Sequence, residues 1–297
     1  MTTKEIKLPT YGGQALIEGV MMRGSRAVAM AMRAPDNQIV VHTESLGGIY
    51  KSRITRIPFL RGLVALWDAL GLGMRALTIS ANIQSGEEEK LEGPALTLAL
   101  VGSLIFAVAL FFLLPAGVGY VGREWFNLSN GWSNLLEGLM RLALLIAYIW
   151  GIGQIPEIKR VFMYHGAEHK TINAFEDGAD LTPETVAHYS LQHPRCGTAF
   201  LLTLVLLSIL VFTLVGPLPI GWHLLTRILL IPVLAGIAYE FIRWTALHLD
   251  SPIVRAMIKP NLALQGLTTR EPSLDILEVS IAAFNAMRSG ETEQPVL

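Results

Sequence analysis

The chain has 297 residues, 52% of them hydrophobic and 16% charged, with a formal net charge of −1. The net charge itself does not bear on nucleic-acid binding, and we predict no nucleic-acid partner. The single cysteine, Cys196, excludes a disulfide within one chain.

The first part of the chain, residues 1–57, is predicted to be a small cytoplasmic region without a cleavable secretory signal, because it lacks an early apolar run. Two β-rich runs, Ala27–Arg33 and Ile39–Thr43, flank the turn sequence PDNQ and predict a β-hairpin. Before them, Gly19 and Gly24 have the spacing of a phosphate-binding loop. No lysine follows Gly24 and no clear strand precedes the stretch, so we favour a glycine-rich lead-in to the hairpin.

Residues 58–90 are predicted to form an amphipathic helix in the membrane interface. Over residues 58–83 the polar side chains recur every seven positions and share one narrow stripe of a helix: Arg61, Asp68, Arg75 and Asn82. A membrane-spanning helix is the alternative. It would carry the preceding basic residues across the membrane, against the positive-inside rule.

Apolar segments within residues 95–242 predict a mainly α, polytopic membrane bundle of about four spans. The clearest is residues 95–114, twenty positions without a charge, about the length that crosses ~30 Å of hydrocarbon. The others are residues 135–151, 199–215 and 222–242. Glu137 and Arg141, one turn apart in the second span, predict an ion pair that Arg227 could join.

The distribution of lysine and arginine predicts the orientation of these spans. Of the 23 basic residues, eleven precede the first span, four lie in the loop of residues 152–198, and five follow residue 242. Because basic residues favour the cytoplasmic side, we expect both termini, this loop and the tail of residues 243–297 to be cytoplasmic. The protein is thus predicted to be a multi-pass protein of the inner (plasma) membrane, in contact with membrane lipids. The prolines of the tail predict short helices and turns, followed by a helix after Ser273.

The segment Pro156–Glu176 holds the motif with the most chemistry. It has no internal proline, and on the predicted helix His165, Glu168 and His169 share one face. Two imidazoles one turn apart can bind one metal ion at ~2.0 to 2.1 Å. The order His-x-x-Glu-His also matches inverted zinc proteases, in which the glutamate is the general base. We predict His165 and His169 as metal ligands and Glu168 as the catalytic base; the alternative is a solvated polar helix face.

A third ligand has three candidates, His193, Cys196 and Glu240. The first two lie one turn apart at the cytoplasmic end of the third span. Glu240 is eighteen residues beyond Trp222, or ~27 Å of helix, which predicts a position near the same membrane face. Zinc is the predicted ion, with iron and manganese as alternatives, because a cysteine ligand favours zinc or iron over manganese.

Three further residues are predicted to support this site from outside the ligand set. Arg243 lies one turn after Glu240 and could pair with it, which is also an ordinary interfacial ion pair. His248 and Asp250 could supply a hydrogen bond to a metal-bound imidazole, although such pairs usually contact solvent.

Four strings along the chain carry a resemblance to a known family: GGQALIEGVMMRG, HGAEHKTINAFE, HPRCGT and LTTREP. In this order they resemble the YqhQ-like bacterial membrane proteins, a family of unknown function often labelled as predicted metal-dependent enzymes. The similarity extends from Tyr11 to about Ala286. It implies an integral membrane protein with cytoplasmic motifs, and the label rests on the histidines and cysteine of those strings, here His165, His169, His193 and Cys196.

The predicted function is metal-dependent hydrolysis of an unidentified membrane-associated peptide or lipid at the cytoplasmic face. The alternative is a non-enzymatic scaffold or small transporter, in which the His, Glu and Arg residues form a structural polar network. Convergence of the candidate ligands on one point would favour the enzyme, and side chains pointing apart into solvent would favour the alternative.

Overall fold

A computed structural model describes residues 11–46, 57–85, 93–216 and 218–292 of the chain. The protein is mainly helical and has a small four-stranded antiparallel sheet near its N-terminus. The predicted mainly α class with a small β element is therefore confirmed. Parts of the predicted N-terminal region, interfacial helix, bundle and tail lie outside the described residues, at positions 1–10, 47–56, 86–92, 217 and 293–297.

The sheet contains the predicted hairpin and two strands that the sequence did not reveal. Its strands are β1 (Gly12–Leu16), β2 (Gly19–Arg23), β3 (Ala27–Arg33) and β4 (Ile39–Ser45), paired in that order. The hairpin of β3 and β4 is confirmed. The predicted glycine-rich lead-in is wrong, because the same residues form β1 and β2.

Burial on both faces explains why β2 was missed. Val20 and Met22 pack on one side of the sheet and Met21 on the other, so the strand is apolar throughout and shows no alternation. In β1, glycine is required by close packing rather than by a turn. A Cβ at Gly13 would lie 2.6 Å from the carbonyl oxygen of Met21 and 2.9 Å from Cδ of Glu168.

The long helix α1 (Leu60–Ser85) links the sheet to the apolar helix bundle. Its second half covers one face of the sheet, with Leu72, Ala76 and Ile79 in the shared core. Two members of the predicted polar stripe form ion pairs: Arg61 with Glu240, and Arg75 with Glu44. By length and composition α1 is apolar enough to cross a membrane, so the helix is confirmed and its depth stays a prediction.

The four predicted spans are helical. The helices are α2 (Gly93–Val108), α3 (Leu114–Phe126), α4 (Asn130–Ile152), α7 (Thr198–Val215), α8 (Ile220–Leu229) and α9 (Ile231–Leu247). A π-helical turn, Ala109–Leu113, joins α2 to α3, so the first segment continues twelve residues beyond its predicted end at residue 114. The fourth segment is two helices that meet at 41°, with a proline in the first turn of α9.

A second layer packs on the other face of the sheet. It consists of α5 (Pro156–Glu176), the short α6 (Pro183–Val186) and α11 (Leu274–Thr292). Tyr164 and Ile172 of α5 pack there with Phe284 of α11, all nearly inaccessible to solvent. The helix predicted for Pro156–Glu176 and the helix after Ser273 are both confirmed.

The region predicted as short helices and turns after the last span is instead mostly one helix, α10 (Pro252–Thr268). Pro260 lies inside it, where a proline removes one backbone hydrogen bond. The helix persists because its buried face packs against α7 and α4, through Leu264 and its neighbours. Here packing outweighs the local signal of the proline.

Candidate metal centre

Three of the predicted ligands meet at one point. His165, His169 and Cys196 each offer one ligand atom, and these atoms all lie within 4.8 Å of one another. Ligands around tetrahedral zinc, at ~2.0 to 2.3 Å from the ion, are roughly 3.3 to 3.8 Å apart. A contraction of roughly 1 Å at the longest separation would therefore produce zinc geometry.

Two elements bring these side chains together. The i to i+4 spacing on α5 places both imidazoles on one side of that helix, with ring centroids 4.4 Å apart. Cys196 lies in the turn that leads into α7. The side-chain amide of Gln265, on α10, fixes this turn through two hydrogen bonds to the backbone of His193, of 3.0 and 2.7 Å.

Backbone carbonyls fix the tautomers of both imidazoles. Nδ1 of His165 lies 2.9 Å from the oxygen of Thr268, and Nδ1 of His169 lies 2.6 Å from the oxygen of Leu191. A carbonyl oxygen only accepts hydrogen bonds, so each Nδ1 carries the proton and donates it. In the neutral rings each Nε2 therefore carries a lone pair that can bind a metal ion. Metal-bound histidines usually have this arrangement, in which the other ring nitrogen donates to a carbonyl or carboxylate.

The two Nε2 atoms differ in their surroundings. Nε2 of His165 lies 3.2 Å from Sγ of Cys196, so the thiol donates to it. Nε2 of His169 is buried and has no hydrogen-bond partner. An unsatisfied buried acceptor costs about 1 to 3 kcal/mol, and a bound cation would remove that cost. The residues present thus fit a metal ion that binds nitrogen and sulfur ligands, such as zinc or iron.

Glu168 is buried on the side of α5 that faces β1. Burial raises the pKa of this carboxyl to about 7, although attraction to His165 and a hydrogen bond from the backbone amide of Gly13 lower it in part. A carboxyl with this pKa can hold or release a proton near neutral pH, as a general base requires.

His193, another candidate ligand, is close to the cluster without belonging to it. Its ring centroid is 5.7 Å from that of His169, and its Nε2 is buried, 3.8 Å from Oε2 of Glu176. Burial lowers the pKa of His193 despite the nearby Glu176, so the ring is neutral over most of the physiological range. Glu176 itself pairs with Arg195.

The structure separates Glu240 from this cluster. Both its carboxylate oxygens bind the guanidinium of Arg61, and the backbone amide of Phe59 donates a further hydrogen bond of 3.0 Å. Glu240 therefore does not belong to the group of His165, His169 and Cys196 in this structure. The position of Glu240 along the predicted fourth span was estimated from the helix length alone. Helix length does not determine which side chains Glu240 contacts. Arg243 interacts electrostatically with Glu240, the partner that the sequence suggested for it.

The two remaining candidates make local contacts after α9. Nδ1 of His248 donates to the carbonyl oxygen of Trp244, and the ring packs near that indole. The backbone oxygen of Asp250 accepts a hydrogen bond from Arg255. Their predicted hydrogen bonds to a metal-bound imidazole are not among the contacts of the described residues.

Sequence reasoning missed the residues that orient the cluster. These are the carbonyls of Leu191 and Thr268, the amide of Gln265 and the close approach of Gly13 to Glu168. Backbone carbonyls carry no residue-type signal. The conspicuous strings LTTREP and GGQALIEGVMMRG, which contain Thr268 and Gly13, were the available clue.

Comparison with known proteins agrees with the resemblance. The signature of DUF1385, described as "Protein of unknown function (DUF1385)", matches residues 57–289. The chain is 36% identical over 299 aligned residues to a protein of Bacillus subtilis (strain 168) named "Uncharacterized protein YqhQ", covering 94% of this chain and 92% of the relative. No solved structure matches. The chain therefore belongs to the DUF1385 family of YqhQ-like proteins.

Proposed function

We propose that this protein is a metal-dependent enzyme of the inner membrane that hydrolyses a membrane-associated peptide or lipid at the cytoplasmic face. The observation that carries the proposal is the buried, unpartnered Nε2 of His169 in a group whose ligand atoms lie within 4.8 Å of one another. His165, His169 and Cys196 would hold the ion. Zinc suits this nitrogen and sulfur set, iron is the alternative, and manganese fits it less well.

In this proposal the residues around the cluster have different roles in hydrolysis. A bound zinc ion would supply a water molecule with its pKa lowered to about 7. Glu168 can take up a proton at the same pH, because its pKa is also about 7. The carbonyls of Thr268 and Leu191 keep both imidazoles in the tautomer that presents Nε2. His193, neutral and buried nearby, is available as a fourth ligand or as a polar contact for substrate.

Surface composition supports insertion into a membrane. Several large apolar side chains on α2 and α7 are exposed, including Leu104, Phe106, Leu210 and Leu214. Accessible apolar surface of this extent is unfavourable in water and favourable in hydrocarbon. Membrane lipids are therefore the partners that we propose for these helices.

Packing of the sheet supports the proposed orientation. The sheet precedes the first span, yet it packs against α5, which follows the second, and α11, which follows the last. Elements in contact lie on the same side of a membrane, so an even number of crossings separates them. The four predicted spans satisfy this condition if α1 stays in the interface. The positive-inside rule then favours the cytoplasm for the sheet, the site and both termini.

Metal analysis of the purified full-length protein, without an affinity-tag histidine run, tests the site. We expect about one zinc per chain by mass spectrometry of the metal, and loss of most of it in His165→Ala, His169→Ala and Cys196→Ser. His248→Ala is the matched control and should retain the metal. Equal metal content in His169→Ala and His248→Ala would contradict the assignment.

Hydrolysis is tested separately, with Glu168→Gln. This variant should keep its zinc, because Glu168 is not a ligand. Zinc-loaded protein is incubated with membrane lipids or membrane-derived peptides in ¹⁸O-labelled water. Wild type should transfer ¹⁸O into a product detected by mass spectrometry, with at least a hundredfold less in Glu168→Gln.

One observation favours a second candidate, a non-enzymatic scaffold. The two cavities described in the structure, of about 720 and 360 Å³, are lined by residues of α2 to α4 rather than by the cluster. A metal ion would then join α5 to the start of α7 without turnover. In that case Glu168→Gln should alter thermal stability, and no ¹⁸O product should form with either protein.

A further inference from the structure

A second group of charged side chains is buried inside the helix bundle, away from the metal centre. Glu137 and Arg141 lie on α4, and His223 and Arg227 lie on α8. Their side chains are at most 3% exposed, and that of Arg227 is fully buried. Ser208 of α7, which contacts this group, lies twelve residues after Cys196, or ~18 Å of helix. The predicted pairing of Glu137 with Arg141, joined by Arg227, is confirmed.

One carboxylate serves both guanidinium groups. Oε1 of Glu137 accepts from Arg141 (2.8 Å) and Arg227 (3.0 Å), and Oε2 accepts from Arg227 (2.8 Å). The remaining partners of the two arginines are neutral: the carbonyl of Phe111, the hydroxyl of Ser208, the amide oxygen of Asn134 and the rings of Phe112 and Phe212. Among the described residues the group therefore carries a net charge of +1 with His223 neutral.

This excess charge is energetically costly where it lies. An uncompensated charge is strongly unfavourable in a buried, low-dielectric site, and ionisable groups inside membrane bundles usually mark a functional site. Arg227 is in the last turn of α8, where the negative end of the helix dipole supplies about half a charge. The dipole thus compensates for only part of the excess.

A hydrogen-bond donor in the group is also unused. Nη1 of Arg227 is buried without a partner, and so is Nδ1 of His223, whereas Nε2 of His223 lies 3.4 Å from Oε2 of Glu137. Nη1 of a guanidinium only donates, whereas the one donor nitrogen of a neutral His223 is directed at the carboxylate of Glu137. The missing partner is therefore an acceptor, and the net charge indicates that it is negative.

The position of the group in its span points the same way. Arg227 lies two residues before the end of α8, next to the 41° bend that separates α8 from α9. Broken spans in membrane bundles are where ions and small charged substrates bind, because helix ends and polar side chains meet there. A buried cationic group and a broken span thus coincide.

We propose that this group is a binding site for a small monovalent anion of halide size, held by Nη1 of Arg227. A single negative charge balances the net charge, whereas a divalent anion would reverse it. Complete burial of Arg227 favours a monatomic ion over a lipid headgroup. The site is independent of the proposed hydrolase, since it involves none of its residues.

Thermal unfolding of the purified full-length protein in sodium chloride, compared with sodium gluconate at equal ionic strength, tests this proposal. We expect chloride to raise the unfolding temperature saturably, by about 3 °C at a tenfold excess over its dissociation constant. Arg227→Gln leaves Glu137 paired with Arg141 and removes the excess charge, so it should abolish the chloride effect. The matched control is Arg123→Gln, an arginine on α3 that pairs with Glu124, and it should respond as wild type does.

Two further experiments test the proposal: a variant that raises the net charge of the group instead of lowering it, and a direct measurement of chloride binding. Glu137→Gln raises the net charge to +2 and should shift the chloride midpoint at least threefold lower. Line broadening of ³⁵Cl in NMR should appear with wild type and disappear with Arg227→Gln, which does not depend on unfolding. Equal responses to chloride and gluconate, or a chloride effect that survives in Arg227→Gln, would overturn the proposal. Loss of the chloride effect in Arg123→Gln would also overturn the proposal, because it would indicate that chloride binds at the surface.

Discussion

Gly166 shows how a single residue positions the metal centre. It follows His165 on α5, and a Cβ added to it would approach the carbonyl oxygen of Arg270 closer than 3.0 Å. The backbone amide of Arg270 also donates to the carbonyl of Phe162, at 2.9 Å. Glycine therefore lets α5 contact the backbone of residues 268–270 directly, and this contact holds the carbonyl of Thr268 against Nδ1 of His165.

Gly166→Ala should consequently weaken both the fold and the site. The added methyl group meets the backbone of Arg270 as well as the side chain of Leu191, and the backbone cannot move aside as a flexible side chain can. We therefore expect a loss of about 1 to 3 kcal/mol in unfolding free energy. Displacement of the Thr268 carbonyl should also lower zinc affinity about tenfold or more. Thermal unfolding and zinc titration measure the two effects. Gly151→Ala, a helical glycine with open space around it, should match wild type in both.

At the residue scale, sequence predicted the cluster only in part. The i to i+4 spacing of His165 and His169 follows from helix geometry, and Cys196 was among three candidates for the third position. The choice of Cys196 over Glu240 depends on which helices are neighbours. Glu240 faces Arg61, more than a hundred residues earlier in the chain, and no local pattern encodes that contact.

At the element scale, the helices were predictable and the sheet was not. Helices α5 and α7 have long periodic or apolar runs that determine them locally. Strand β2 is buried on both faces, so it lacks the alternation of a strand with one exposed face. Strand β1 begins with two glycines, which are uncommon in strands. The proline in α10 misled in the same way, since tertiary packing outweighs its local cost.

The pair of Arg61 and Glu240 is the element-scale contact that we expect to attach α1 to α9. Both side chains are partly shielded, and the guanidinium binds both carboxylate oxygens. Arg61→Gln and Glu240→Gln should each destabilise the protein. A double-mutant cycle in thermal or denaturant unfolding should give a coupling of about 1 kcal/mol. Both variants should keep wild-type zinc content, and loss of zinc in Glu240→Gln would restore that residue as a ligand.

At the scale of the whole molecule, the number of membrane crossings is constrained by packing. If α1 crossed the membrane together with the four predicted spans, three crossings would separate the sheet from α5. The sheet and α5 share a hydrophobic core, so they cannot lie on opposite sides. By length and composition alone α1 is a candidate membrane span. Hydropathy therefore cannot distinguish a spanning α1 from one that lies in the interface.

Single cysteines placed at exposed positions test this topology. Asp36→Cys lies in the turn between β3 and β4, Gln154→Cys follows α4, and Ser129→Cys precedes α4. With α1 in the interface, a membrane-impermeant maleimide should label Ser129→Cys in intact spheroplasts. Asp36→Cys and Gln154→Cys should be labelled only after permeabilisation, while unmodified protein, whose Cys196 is buried, serves as the background. Labelling of Asp36→Cys and Gln154→Cys from opposite sides would mean that α1 spans the membrane, and the shared core of the sheet and α5 would then be impossible.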